Sequence, residues 1–190
     1  MAGRIDKRLT ILKAAWRLIR HYGYNKTTID DIARRAGVGK GTVYLYFQSK
    51  AEIMLSLTDR TNERIVARLE EIASTDAPPQ ARVRACLLHR VMALYDIVNR
   101  HPHSEDVIAN MMPDVVERLD HYVQRHGEIL GRVVREGCEG GTFQAADPVA
   151  AGHLLAKLFE FLTPPYYRFP TRESLEKFAN QVVDLVLAGL

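Results

Sequence analysis

Lysine and arginine crowd the start of the chain, where their cationic side chains could neutralise a polyanion. Residues 1–50 hold eleven of the 26 basic residues against three acids (Asp6, Asp30 and Asp31), a balance of +8. The other 140 residues carry the remaining fifteen basic and twenty acidic side chains, a balance of −5, so the overall charge of +3 conceals a polarised chain. A basic head suits nucleic acid and an acidic body does not. Other chemistries find little support. Cys86 and Cys138 stand apart with no CxxC spacing, which predicts two reduced thiols and neither a disulfide framework nor a zinc site. His101 and His103 invite a metal reading, but no spaced carboxylate or thiol set accompanies them. GxSxG, HExxH and phosphate-loop motifs are absent, as are paired helical carboxylates, so neither catalysis nor a cofactor is expected.

The elements that must position the basic residues are helical. With 47% apolar and 26% charged residues, the composition is that of a folded globular chain, and 190 residues suffice for a small head joined to a larger body. No apolar run approaches the ~18 residues needed to cross a bilayer, and the opening residues lack a signal-peptide core, which predicts a cytoplasmic protein. Ile5, Leu9, Leu12, Trp16 and Ile19 recur at helical spacing and predict a first helix over 4–22, stopped by Gly23. Thr28 is placed to cap a second over 29–36, with Asp31 reaching back to it. A third runs over 40–47. Ala33 is small where the second and third helices must meet, Gly37 supplies the turn, and Val43 packs back beneath. Ile29, Ile32, Val38 and Phe47 complete a small core. Two short helices about a glycine turn make a helix-turn-helix unit.

The run TTIDDIARRAGVGKGTVYLYFQSKAE, Thr27 to Glu52, resembles the amino-terminal signature of the TetR family of bacterial transcriptional repressors, with similarity extending over about residues 7–57. The resemblance implies an all-α homodimer in which a three-helix head grips operator DNA and a helical body dimerises and binds an inducer. It aligns Lys40, Gly41 and Thr42 with contacts near the start of the recognition helix. In the major groove, Lys40 would donate to guanine, Gly41 would let the backbone approach a base, and Thr42 would reach a base or a phosphate. Tyr44, Tyr46, Lys50 and Thr28 match positions that hold the DNA backbone. The tyrosines could instead pack the small core with wet hydroxyls, and Lys50 could simply be solvated. Gly39 stands where many relatives carry a capping serine or threonine.

Ser49 and Glu52 form a capping box that opens a long helix, with Ile53, Leu57, Ile65, Leu69 and Ile72 along one face and an end near Ala73. It links the head (residues 1–50) to the body (51–190) and is the natural lever between them. Further helices are predicted over 80–99, 103–110, 113–136, 148–162 and 171–188. The last two are apolar on more than one side, which assigns Leu154, Leu158, Leu162, Phe178, Val182, Leu185 and Val186 to a two-fold dimer contact, expected as a four-helix bundle. Met111, Tyr122, His126 and Phe159 are the candidates for an effector pocket. The alternative for His126 is a core histidine bonded to a backbone carbonyl, which is the favoured reading. The function that follows is a homodimeric repressor that binds palindromic operator DNA and is released by a small, largely apolar effector. An activator or effector-independent regulator of the same fold is the alternative, and a small helical enzyme ranks low.

Overall fold

The computed structural model describes residues 6–99, 113–163 and 169–190, and all of their regular structure is helical. In chain order the helices are α1 (Lys7–Tyr22), α2 (Ile29–Ala36), α3 (Lys40–Tyr46), α4 (Lys50–Ala73), α5 (Pro79–Asn99), α6 (Pro113–Glu139), α7 (Pro148–Glu160) and α8 (Arg172–Ala188). Met111 and the expected helix over 103–110 lie outside the described residues, as do His101 and His103. Two compact units are present. Among the described residues, one comprises those up to Thr61 with Asn99 and residues 113–116, and the other Asn62–Val98 with Glu117–Leu190, so boundaries fall within α4 and in the first turn of α6.

In the first unit, local signals set the helix ends. Asp6 caps α1 by accepting from the Leu9 amide at 3.1 Å. Thr28 and Asp31 cap α2 reciprocally: the Asp31 amide donates to Thr28 Oγ1 at 3.1 Å, and the Thr28 amide donates to Asp31 Oδ2 at 3.2 Å. Gly37 ends α2 in the left-handed conformation at φ 69°, which a side chain rarely adopts, and the next amide, Val38, returns to the Ala33 carbonyl at 3.0 Å. At α4 the capping box takes a shifted form. The Glu52 amide donates to Ser49 Oγ at 3.1 Å, but the Glu52 carboxylate accepts from the Gln48 amide at 2.6 Å, one residue earlier than the serine amide expected to receive it.

These caps hold the helices around a core of Ile11, Leu12, Ala15, Ile19, Ile32, Ala33, Val43, Phe47, Ile53 and Leu57. The buried face of α1 is turned relative to the expected stripe: Ile11 and Ala15 are buried, and Trp16 is only half-buried.

The second unit packs Ile65, Val66 and Leu69 of α4 with α5, α6, α7 and α8 in one apolar cluster. Three glycines that the apolar pattern did not single out join α6 to α7. A Cβ added at Gly152 would strike the Gly131 amide nitrogen and lie 2.5 Å from the Gly127 carbonyl oxygen. One added at Gly127 would strike the ring of His153. The spacing Gly127-x-x-x-Gly131 places both glycines on one face of α6, and there the backbones of the two helices touch. Asp147 caps α7, accepting from the Val149 and Ala150 amides at 3.0 Å each, with Pro148 in the first turn where its missing amide costs nothing. No described helix is long and apolar enough to cross a membrane.

Candidate functional site

Lys40 opens α3, and Gly41, Tyr44, Leu45 and Tyr46 are exposed along it, while Val43 and the following Phe47 are buried beneath. A helix of two turns therefore presents nearly all of its polar side chains outward on an anchor of two apolar ones. Its first residues carry amides that α-helical geometry leaves unbonded, and those amides suit phosphate or base acceptors. Gly39 caps α3 with no side-chain bond, and a Cβ built at Gly41 would meet nothing within 4 Å. Room for close approach thus exists at the helix start. Thr42 is half-buried, and its amide bonds to the Gly39 carbonyl at 2.9 Å.

The cations here are already engaged. Lys40 Nζ lies 3.0 Å from Asp30 Oδ1 and 3.1 Å from Oδ2, and both side chains are more than half exposed. The hydrogen bond and charge of Asp30 raise the Lys40 pKa. A solvent-exposed pair of this kind holds loosely, so Lys40 can exchange this carboxylate for another acceptor at small cost. Lys50 is held more firmly. Its ammonium donates to the Tyr24 carbonyl at 2.9 Å and to the Thr27 carbonyl at 3.0 Å, and lies 4.3 Å from the centre of the Tyr24 ring. Partial burial lowers its pKa. Lys50 is thus a clasp from the first turn of α4 to the α1–α2 connection, with one of its three donors left for another partner.

Thr28 has a comparable double position: its hydroxyl makes the α2 cap and bonds to Asp31, whose pKa is lowered chiefly by that contact. Asp31 also pairs with Arg34. Arg17, Lys26, Arg34 and Arg35 line one open depression of about 720 Å³ beside α1 and α2, where Asp31 is the acid. These basic side chains extend the positive surface away from α3.

In the second unit, Tyr122 and Phe159 lie in the same buried cluster, 4% and 0% exposed. The Tyr122 hydroxyl donates to Glu63 Oε1 at 3.2 Å, and Arg125 Nη1 donates to the same oxygen at 2.5 Å, which lowers the Glu63 pKa. His126 is also buried, but the expected backbone carbonyl is not its partner: Nδ1 accepts from Arg90 Nε at 3.0 Å. Burial, reinforced by Arg90 and Arg125, pushes the His126 pKa down to about 3, which keeps the ring neutral. Arg90 was missed in the sequence, although the signal is there. Seven residues after Val83 and three after Leu87, it occupies the apolar face of α5, where an arginine has no ordinary reason to stand.

The residues assigned to a dimer contact divide into two groups. Leu154, Leu158, Phe178 and Leu185 are exposed, by 70% and 77% at Leu154 and Leu185, and Leu162, Val182 and Val186 are half-buried. Their neighbours Leu155, Phe159, Leu175, Ala179 and Val183 fill the chain's own core. Among the described residues no group of three His, Cys, Asp or Glu side chains is placed to hold a metal.

A capped helix-turn-helix with an exposed, basic-opening second helix defines a DNA-binding transcriptional regulator. Residues 11–57 match the family described as bacterial regulatory proteins, tetR family, and residues 79–183 match the tetracyclin repressor-like C-terminal domain. The chain belongs to the TetR family. It is 22% identical over 191 residues to the fatty acid metabolism regulator protein of Bacillus subtilis, spanning 100% of this chain and 98% of that one. It is 24% identical to the HTH-type transcriptional repressor KstR2 of Mycobacterium tuberculosis, spanning 100% and 96%. Among solved structures, the fold matches that of the transcriptional regulator FadR from Bacillus subtilis in complex with stearoyl-CoA, with a TM-score of 0.71 and 21% identity over 96% of this chain and 98% of that one.

Proposed function

We propose that the protein is a homodimeric repressor that holds palindromic operator DNA through α3 and is released when its body binds a ligand with a long acyl chain. The observation that carries the reading is the presentation of Lys40, Gly41, Thr42 and Tyr44 on a helix locked from below by Val43 and Phe47. Lys40 and Gly41 read base edges, and Tyr44, Tyr46, Thr28 and the remaining donor of Lys50 hold phosphates. Residues 1–50 serve as the reader, and the remainder serves dimerisation and effector binding. Exposed leucine and phenylalanine along α7 and α8 support self-association, because a second copy would cover apolar surface that one chain leaves in water. A fatty acid metabolism regulator among the relatives, and a structural match that holds stearoyl-CoA, support an acyl-chain effector.

Ligand and DNA must favour different conformations, so each weakens the binding of the other by the same factor. The test is fluorescence anisotropy on a duplex selected from a random pool, with and without stearoyl-CoA, alongside sedimentation of the free protein. The expected results are a palindromic selected site, twice the chain mass in sedimentation, and at least tenfold weaker duplex binding with ligand. Duplex affinity unchanged at saturating stearoyl-CoA would remove the acyl-chain effector. A single-chain mass would remove the dimer.

A further inference from the structure

Arg90 on α5 and His126 on α6 are 4% and 2% exposed and bond to each other through Arg90 Nε and His126 Nδ1. Because Nδ1 accepts that bond, the neutral imidazole must carry its proton on Nε2, which makes Nε2 a donor. No hydrogen-bond acceptor meets it among the described residues, and none meets Arg90 Nη1. The guanidinium also forms no ion pair among those residues. Glu160 is the acid whose charge is felt there, and it shares Lys157 with Asp120, at 3.0 and 3.2 Å. Burial lowers the Arg90 pKa only to about 10, so the group remains a cation at neutral pH.

Buried donors are ordinarily satisfied, and a buried charge is ordinarily paired. For the two free nitrogens, Arg90 Nη1 and His126 Nε2, the missing partner is an acceptor. The complement of this pair is therefore an oxygen acceptor, and an oxyanion is the acceptor that a guanidinium binds most strongly.

We propose that Arg90 and His126 form the receptor for an oxyanion carried on the effector, whose apolar remainder meets the cluster that includes Val91, Tyr122 and Phe159. This assignment rests on the reading that the body holds an acyl-chain ligand. The carboxylate of a free fatty acid and a phosphate of an acyl-CoA share the required chemistry, and titration separates them.

Calorimetric titration of the full chain without DNA, using dodecanoate, dodecanoyl-CoA and 1-dodecanol, tests the assignment. At least one anionic ligand should bind tenfold or more tightly than the alcohol. Arg90→Met should remove at least tenfold of that ligand's affinity and change the alcohol less than threefold, and the ligand that loses affinity identifies the source of the oxyanion. His126→Gln, which can accept from Arg90 and donate onward, should keep most of the affinity that His126→Leu loses. Equal binding of all three ligands, or equal weakening of all three by Arg90→Met, would overturn the assignment. If Arg90→Met does not fold, equal anion affinity in the two His126 variants would overturn it instead. A ligand that binds with the expected preferences yet leaves duplex binding unchanged would count against the repressor reading and leave the oxyanion receptor standing.

Discussion

The two units treat their polar side chains in opposite ways. In the first, Lys40 stands in water and the carboxylate beside it shares that exposure, so its partner can be exchanged cheaply, while Lys50 is half-buried against two carbonyls. In the second, Arg90 and His126 are withdrawn from water and bonded to each other with donors left over, so any partner must enter and lose its own hydration. A surface built for a large, highly charged target needs solvated charges in register. A site built for a small molecule needs few polar groups, deeply placed, because there each unsatisfied donor discriminates strongly.

Four substitutions break or sharpen this contrast. The largest effect belongs to packing in the second unit. Phe159→Ala removes a fully buried ring, and urea unfolding should show a loss of about 3–5 kcal/mol; a loss within error of zero would mean that the cluster around it is not a core. Lys40→Ala should leave the melting temperature nearly unchanged, since its ion pair is exposed, yet lower discrimination at one base pair by about 1–3 kcal/mol when matched and mismatched duplexes are compared. The reverse pattern, a lower melting point with intact discrimination, would make Lys40 structural.

His126 supplies the third test, through pH. Its folded pKa of about 3 lies below the ordinary 6.5, so from pH 6.5 down to about 3 the unfolded chain takes up a proton that the folded chain refuses. Stability contributed by the neutral ring is complete above pH 6.5 and is lost as pH falls, at up to about 1.4 kcal/mol per pH unit. His126→Gln should flatten that part of the stability profile by up to this slope, and identical profiles for the two proteins would show that the ring protonates freely. The smallest effect is expected at the start of α3. Gly39→Ser supplies the missing side-chain cap, should stabilise by only a few tenths of a kcal/mol, and should add one phosphate contact visible as tighter duplex binding with an unchanged salt slope, since a hydroxyl releases no counterion.

Much of the first unit was legible because its information is local. Thr28 with Asp31, Gly37 at positive φ and Ser49 with Glu52 each act within a few residues, and the limits of α2 follow directly from them. Local reasoning erred where a choice of partner lay one residue away, at Gln48 in place of Ser49. It also left Lys50 without its clasp, since Tyr24 and Thr27 lie more than twenty residues earlier in the chain. In the second unit, periodicity separated buried from exposed apolar residues poorly along α7 and α8, and the fold divided them between a core face and an uncovered face. The Gly127 and Gly131 spacing was visible, but not that Gly152 would meet it.

By itself, the sequence determined an all-helical chain, a cationic reader with its caps and turn, and apolar helices in excess of one core, because these depend on periodicity, composition and contacts a few residues long. Only the tertiary structure decided that Arg90 would find His126, that Lys50 would clasp the α1–α2 connection, and which leucines would remain in water. Those outcomes depend on which distant side chains share a volume, and burial sets the cost of a charge or an unmade hydrogen bond only once that volume is closed.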